Sequence, residues 1–165
     1  MGSVTDVDLS RSSPTTEETL ACRPARGPVE LAAHHEIRRA VFVAEQRLFA
    51  VDDRDEHDED PATVHVLGFV HGEPAGTVRL YPLGGTLWKG DRLAVLPEHR
   101  RSHIGGPLVR LAVTLAGERG GSRMDAQVQA PNVRFFVHLG WSPVGEPADH
   151  VGVLHQRMTI PLAQR

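Results

Sequence analysis

The sequence predicts an α+β domain in which helices pack on one central sheet. Three observations carry this. Asp91 to Glu118 reads as strand, charged loop and helix; TVHVLGFV and AGTVRLYPL are β-rich runs joined by His71-Gly72-Glu73-Pro74; and MDAQVQA reads as a buried strand after the glycine stop at Gly117, Gly120 and Gly121. With 165 residues, a single domain buries roughly 68–70% of its extended surface, enough for a real core. We assign residues 1–19 to a loose polar tail and 20–165 to that domain.

Bulk properties exclude several classes. A formal net charge of −3 argues against a general nucleic-acid binder, which would carry a basic excess. The tail lacks the apolar segment of a secretory signal, and the chain has no run of about 18 apolar residues, so neither export nor membrane insertion is expected. The one cysteine, Cys22, excludes an internal disulfide and a multi-cysteine zinc site. A cytoplasmic protein is the expectation.

Taken in order, LACRPA from Leu20 is a first strand, and Gly27-Pro28 a turn. From Glu30 to Gln46, Ala33, Ile37, Ala40, Val41 and Ala44 form one apolar helical face, with His34, His35, Arg38 and Arg39 largely opposite. Residues 52–60, DDRDEHDED, hold seven carboxylates and one arginine. Such a run reads as a solvated loop, or as an acidic rim that gathers a cationic amine. His57, Asp58 and His65 are metal-competent side chains, but their spacing matches no defined site, so no metal is expected. The two β-rich runs form a hairpin. A short strand, Leu93 to Leu96, then breaks at Pro97, and Leu108, Leu111, Ala112, Leu115 and Ala116 recur at helical spacing. MDAQVQA, a helix from Asn132 to Leu139 and a closing strand from Val153 to Ile160 complete the chain.

The loop between Pro97 and Leu108 carries the chemistry. Arg100 and Arg101 precede Gly105 and Gly106 at a helix mouth, so guanidinium forks, backbone N–H groups and the positive dipole end converge. A phosphate is the natural occupant. The loop lacks the Gly-Lys-Ser/Thr ending of a P-loop and any G-x-G-x-x-G, so neither of those nucleotide motifs fits.

What the loop resembles is the acetyl-CoA pyrophosphate loop of the GNAT acetyltransferase superfamily. There Gln or Arg is followed by two free positions, Gly, one free position, then Gly or Ala; Arg100 takes the first place, Gly105 the last, and His103 stands at the middle glycine. A second motif, Phe135-Phe136 with Gly140-Trp141 after it, is similar to the family's late helix. VFVAEQ and HQRM resemble segments of the ElaA-like branch, and LWKGDRLAV and AQVQAPN are similar to a bacterial subfamily associated with nitrogen starvation. The likeness covers roughly residues 20 to 160. It implies a mixed, mostly antiparallel sheet of six or seven strands with about four helices.

It also implies an N-acetyltransferase moving acetyl from acetyl-CoA to a primary amine by direct attack in a ternary complex. On that reading Leu93, Ala94 and Val95 offer backbone to pantetheine and an oxyanion donor. Arg100, Arg101, Ser102, His103, Ile104, Gly105 and Gly106 hold the diphosphate, with Asn132 and Phe136 beside the cofactor. Asp91, preferred over Lys89, is the candidate base, while Glu45, Gln46 and His155 face the acceptor, with His150 nearby. Phe136 occupies the place of the usual tyrosine acid and has no proton to give. Tyr81, the only tyrosine, reads as core, His138 lies about 200° around the helix from Phe136, and Cys22 has no histidine beside it for an acyl-enzyme route. Two alternatives stand: an acyl-homoserine-lactone-type synthase and a non-catalytic acyl-CoA sensor. Polyamine, amino acid, aminoglycoside and protein N-terminus remain open as acceptors, and exposed strand edges make a homodimer conceivable.

Overall fold

A computed structural model describes residues 19–150 and 152–163; apart from Thr19, the expected polar tail lies outside the described residues. One mixed sheet forms the middle layer. Its strands are β1 (Leu20–Pro24), β2 (Val64–Val70), β3 (Glu73–Gly84), β4 (Leu87–Val95), β5 (Arg123–Gln129), β6 (Ser142–Pro143), β7 (Ala148–His150) and β8 (Val153–Pro161), in the order β1-β2-β3-β4-β5-β8-β6 with β7 also on β8. Every pairing is antiparallel except β4 with β5. The predicted hairpin closes more tightly than its sequence suggests: His71 (φ 50°) and Gly72 (φ 82°) are the two loop residues, and Glu73 and Pro74 already belong to β3.

Helix α2 (Gly105–Glu118) covers one face, burying Leu108, Val109, Ala112, Leu115 and Ala116 against Val66, Val78, Leu80, Trp88 and Met124. It sits unusually low on the sheet because Gly68 and Gly76 pair directly across β2 and β3. A Cβ on Gly68 would lie 2.8 Å from Ile104, and one on Gly76 would lie 2.9 Å from both Leu108 and the Ala94 carbonyl. The short α3 (Val133–His138) follows β5.

On the other face the predicted helix from Glu30 to Gln46 divides. Helix α1 spans Gly27–Arg38, and a π-helical segment continues from Arg39 to Glu45, closed by the Gln46 N–H donating to the Val41 carbonyl at 2.8 Å. The expected apolar stripe is corrected in part. Ile37 and Val41 are buried, but His34 and Arg38 are also fully buried, while Ala40 and Ala44 face solvent. The wider π turn shifts the periodicity, and the buried arginine has carboxylate partners from a loop that sequence periodicity does not reach.

The site is made by how β4 leaves β5. The two pair only at Leu87, Trp88 and Lys89; beyond, they splay. On its other side β4 carries a bulge at Arg92, whose φ of 53° shifts the register against β3 between Thr77 and Arg79. The strand is therefore longer than expected and bent at its middle.

Gly76→Ala should lower the unfolding free energy by about 1–3 kcal/mol, because one of its two close neighbours is a backbone carbonyl that cannot rotate away. A urea melt reads this as a lower midpoint at unchanged slope.

Candidate active site

The acidic run is only partly solvated: Asp52, Glu56, Glu59 and Asp60 are exposed, whereas Asp53, Asp55 and Asp58 turn inward. Asp55 caps a 3₁₀ turn (Glu56–Glu59), with reciprocal bonds between Asp55 and Asp58, and the run folds onto the sheet to receive three guanidinium groups. Arg38 donates from Nε to Asp53 at 2.7 Å and from its two terminal nitrogens to Asp58 at 2.7 and 3.0 Å. Arg79, buried on β3, bridges Asp91 (2.8 and 2.7 Å) to Asp55 (2.6 and 3.1 Å) and Asp58 (3.0 Å). Arg92 reaches the Asp53 carboxylate at 3.0 Å and its carbonyl at 2.8 Å, and lies over the Phe49 ring. Three carboxylates of the run, Asp53, Asp55 and Asp58, are thus spent within the protein, while Asp52, Glu56, Glu59 and Asp60 stay exposed.

Histidines flank this network in fixed states. His34 Nδ1 is 3.0 Å from the Val66 carbonyl, so it carries the proton, and Nε2 accepts from Arg38 at 3.3 Å. A second proton would have no acceptor and would face a guanidinium. Burial, then Arg38, accordingly pushes His34 down to about 2, and burial chiefly pushes His35 to about 4. His35, Asp58 and His65 do bring ligand atoms within 4.8 Å of one another. Both Asp58 oxygens already accept from arginine, and His65 donates to one at 2.9 Å, so the cluster is an ion network in which a divalent cation would meet two guanidinium groups.

The splayed strands open a cleft that runs through the sheet. Val109, Ala112, Phe136 and Trp141 line it on the α2 and α3 side; Phe42, Gln46, Phe49, Lys89, Asp91, His150 and His155 line it elsewhere. Gln46 and Gln129 bridge it at 3.0 Å, joining the π segment to the end of β5. The expected cofactor and acceptor residues Asn132, Phe136, Gln46 and His155 are therefore brought together. Asp91 lines the same cleft, but both its oxygens are taken by Arg79 and the Tyr81 hydroxyl lies 3.5 Å away. That corrects its reading as a freely available base. His155, 8% exposed, has its Nδ1 2.8 Å from the Val153 carbonyl, which makes Nδ1 the N–H of the neutral tautomer and leaves Nε2 with its lone pair.

Beside the cleft, Pro97–Ser102 makes a 3₁₀ turn into α2. His103 adopts the left-handed conformation (φ 66°, ψ 25°) that a glycine supplies more cheaply, so the loop keeps its shape despite the substitution. The start of α2 has no side-chain cap, leaving its first amides for a ligand. Arg101 and His103 are exposed, Ser102 is buried and braces the turn by accepting from the Ile104 N–H and donating to the His99 carbonyl, and the Ile104 side chain belongs to the core. Ala94 packs with Ile37 and Phe42, so any contact it makes with a ligand runs through backbone. Arg100 donates to the Val95 carbonyl at 3.1 Å and forks onto both oxygens of Glu45. A residue expected on the cofactor side and one expected on the acceptor side are thus paired with each other.

Other candidates fall away. Tyr81 is buried and stacks on His57 at 3.9 Å, and burial raises its hydroxyl. His138 is exposed outside the cleft lining. Cys22 lies on β1, three strands from β4 in the sheet order, with its thiol pushed up to about 11 by burial. Sequence reasoning missed Arg79, Arg92 and Gln129 as parts of the site, and did not assign Trp141 a contact. An arginine inside an apolar β run, followed twelve residues later by Asp91, was the available signal.

Comparisons agree with this geometry. The family model described as "Acetyltransferase (GNAT) family" matches residues 31–141. A Bacillus subtilis (strain 168) protein named "Putative acetyltransferase BSU40680" is 30% identical over 131 residues, 79% of this chain and 88% of its own. Among solved structures, Escherichia coli ElaA superposes with a TM-score of 0.75 at 22% identity, covering 87% of this chain and 99% of its own. The CoA-dependent acyl-homoserine lactone synthase BjaI, solved with SAM and isopentyl-CoA, gives 0.70 at 19% identity over 88% and 84%. Among the described residues no helix is long and apolar enough to cross a membrane.

Arg79→Met should cost on the order of 3–5 kcal/mol, since it strands three carboxylates that the guanidinium now holds; chemical denaturation measures it. A second outcome concerns acid. His34 sits far below its unfolded value near 6.5, so its contribution is complete above that pH and falls as pH drops toward 2, with a slope of about 1.4 kcal/mol per pH unit. Between pH 6.5 and 4.5 the wild-type stability should fall, and the fall should be shallower in His34→Gln.

Proposed function

This chain belongs to the GNAT acetyltransferase family, and from that premise we propose that it moves an acetyl group from acetyl-CoA to a primary amine by direct attack. The observation that carries the reading is the alignment of two unpartnered backbones. Among the described residues the β5-facing edge of β4 has no strand beside it from Gly90 onward, and it leads to the uncapped start of α2.

Pantetheine amides can pair with that edge as an added strand would. The diphosphate then meets the amides of His103, Gly105 and Gly106 and the exposed Arg101, with Arg100 joining once it leaves Glu45. Trp141 supports the fit: it lines the cleft, and its buried indole N–H has no acceptor in the protein. A lysine-like amine arrives protonated, with a pKa of about 10.4. Nε2 of His155 takes that proton, the amine lone pair forms the bond to the thioester carbon, and oxygen charge gathers near the Leu93 to Val95 backbone. Collapse breaks the C–S bond. CoA leaves as thiolate, because Phe136 offers no proton, and the second proton left on the acyl nitrogen passes to that thiolate.

A second reading is favoured by the fold shared with BjaI: transfer of a longer acyl chain, which a panel of acyl-CoA lengths separates from acetyl transfer. The primary test has two parts. Acetyl-CoA at 100 times its Kd should raise the unfolding free energy by about 2.7 kcal/mol, and no thermal shift at millimolar cofactor would end the proposal. His155→Ala should keep that shift yet lower kcat by about 10²–10⁴-fold; an unchanged kcat would remove His155 as the base.

A further inference from the structure

The chain contains seventeen arginines and a single lysine, Lys89, and that lysine lines the cleft. It is half-buried on β4, at the last position where β4 still pairs with β5, opposite Tyr81 on β3 and Asp125 on β5. Two carboxylates lie on its face of the sheet, and both are committed elsewhere. Asp91, two residues on, is held by Arg79 at 2.8 and 2.7 Å. Asp125 accepts from Arg157 at 2.7 Å and from Thr159 at 2.7 Å. The other cation in the lining, Arg92, is engaged by Asp53 and Asp55. Among the described residues Lys89 has no ion-pair or hydrogen-bond partner.

We infer that the acceptor carries a carboxylate, and that Lys89 holds it while the amine of the same molecule faces His155. A half-buried ammonium with no counter-charge is costly unless a ligand supplies one. Lysine suits this role better than arginine: its compact charge and three rotatable donors follow a small carboxylate without needing a fixed planar fork. The surroundings agree. His150, across the cleft, is lowered by burial first and then by His155, Lys89 and Arg92, so the Lys89 ammonium acts across the cleft. An amino acid carries a carboxylate for Lys89 and an amine for His155 in one molecule; a polyamine brings a second cation toward Lys89. The inference rests on the acyl-transfer reading and narrows its acceptor.

The experiment uses full-length wild type, Lys89→Met and Lys89→Arg with acetyl-CoA. The acceptors are the common amino acids, each beside its carboxamide, with spermidine as a cationic control. Thiol release should favour the acids over their amides by on the order of 10- to 100-fold in kcat/KM. Lys89→Met should abolish that preference mainly through KM, and Lys89→Arg should retain part of it, while both keep the thermal shift given by acetyl-CoA. Amides or spermidine used as well as acids by the wild type overturn the inference, as does a preference that survives in Lys89→Met. Acetyl-CoA binding with no amino acid acetylated overturns it too. Absence of any acetyl-CoA shift in wild type is a different failure: it removes the acyl-transfer reading, and this inference with it.

Discussion

Three arginines and four aspartates hold the functional half of this molecule in place. Arg38 comes from the first helix, Arg79 and Arg92 from two neighbouring strands, and Asp53, Asp55 and Asp58 from one short loop, with Asp91 on β4. Taking such charges out of water is expensive, so the arrangement persists only while donors and acceptors match. They match closely: the Arg79 guanidinium places bonds on three carboxylates and is fully buried. The result is a rigid polar core on one face of the sheet, opposite the apolar core under α2. Its geometric output is the bend in β4, because Arg92 keeps its left-handed backbone with its side chain anchored to Asp53.

The cleft is the meeting of that bend with two other constraints. Glycines at 68 and 76 let α2 approach the sheet closely enough that its amino-terminal turn comes beside the end of β4. The short parallel contact between β4 and β5 stops at Lys89, so nothing closes the gap above it. Apolar side chains from α2 and α3 then line one side, and the π segment with the β7–β8 hairpin the other. The two sides differ in chemistry. One has aromatic rings and an unpartnered indole N–H, the other histidines, a glutamine and an unneutralised ammonium.

Much of the architecture was legible because period-2 and period-3.6 patterns are strong where one face is apolar, as in α2 and the β2–β3 hairpin. The order of strand, turn and helix around α2 was legible from its pattern, and His103 adopting positive φ shows that backbone context can impose what residue type disfavours. The polar core was not legible. DDRDEHDED has the composition of a solvated loop, and only tertiary contact with arginines from residues 38, 79 and 92 reveals it as structural. For the same reason Arg38 was assigned to the solvent face of a helix. The commitment of Asp91 to Arg79 depends on cross-strand register, which is fixed by the bulge and not by local sequence.

The π segment from Arg39 to Glu45 amounts to a helix with one residue too many. Excising Ala44, the solvent-facing alanine after Val41 and Phe42, would let the ladder close as an ordinary α-helix and leave α1 and those two sheet contacts in place. Every side chain downstream would then turn by roughly 100°, carrying Gln46 away from Gln129 and Phe49 away from Arg92. The shape of the acceptor wall is therefore set by chain length at one point, independently of which residues line it. A single-codon gap there would remodel the acceptor wall and, because Glu45 turns with it, also release Arg100 beside the cofactor loop.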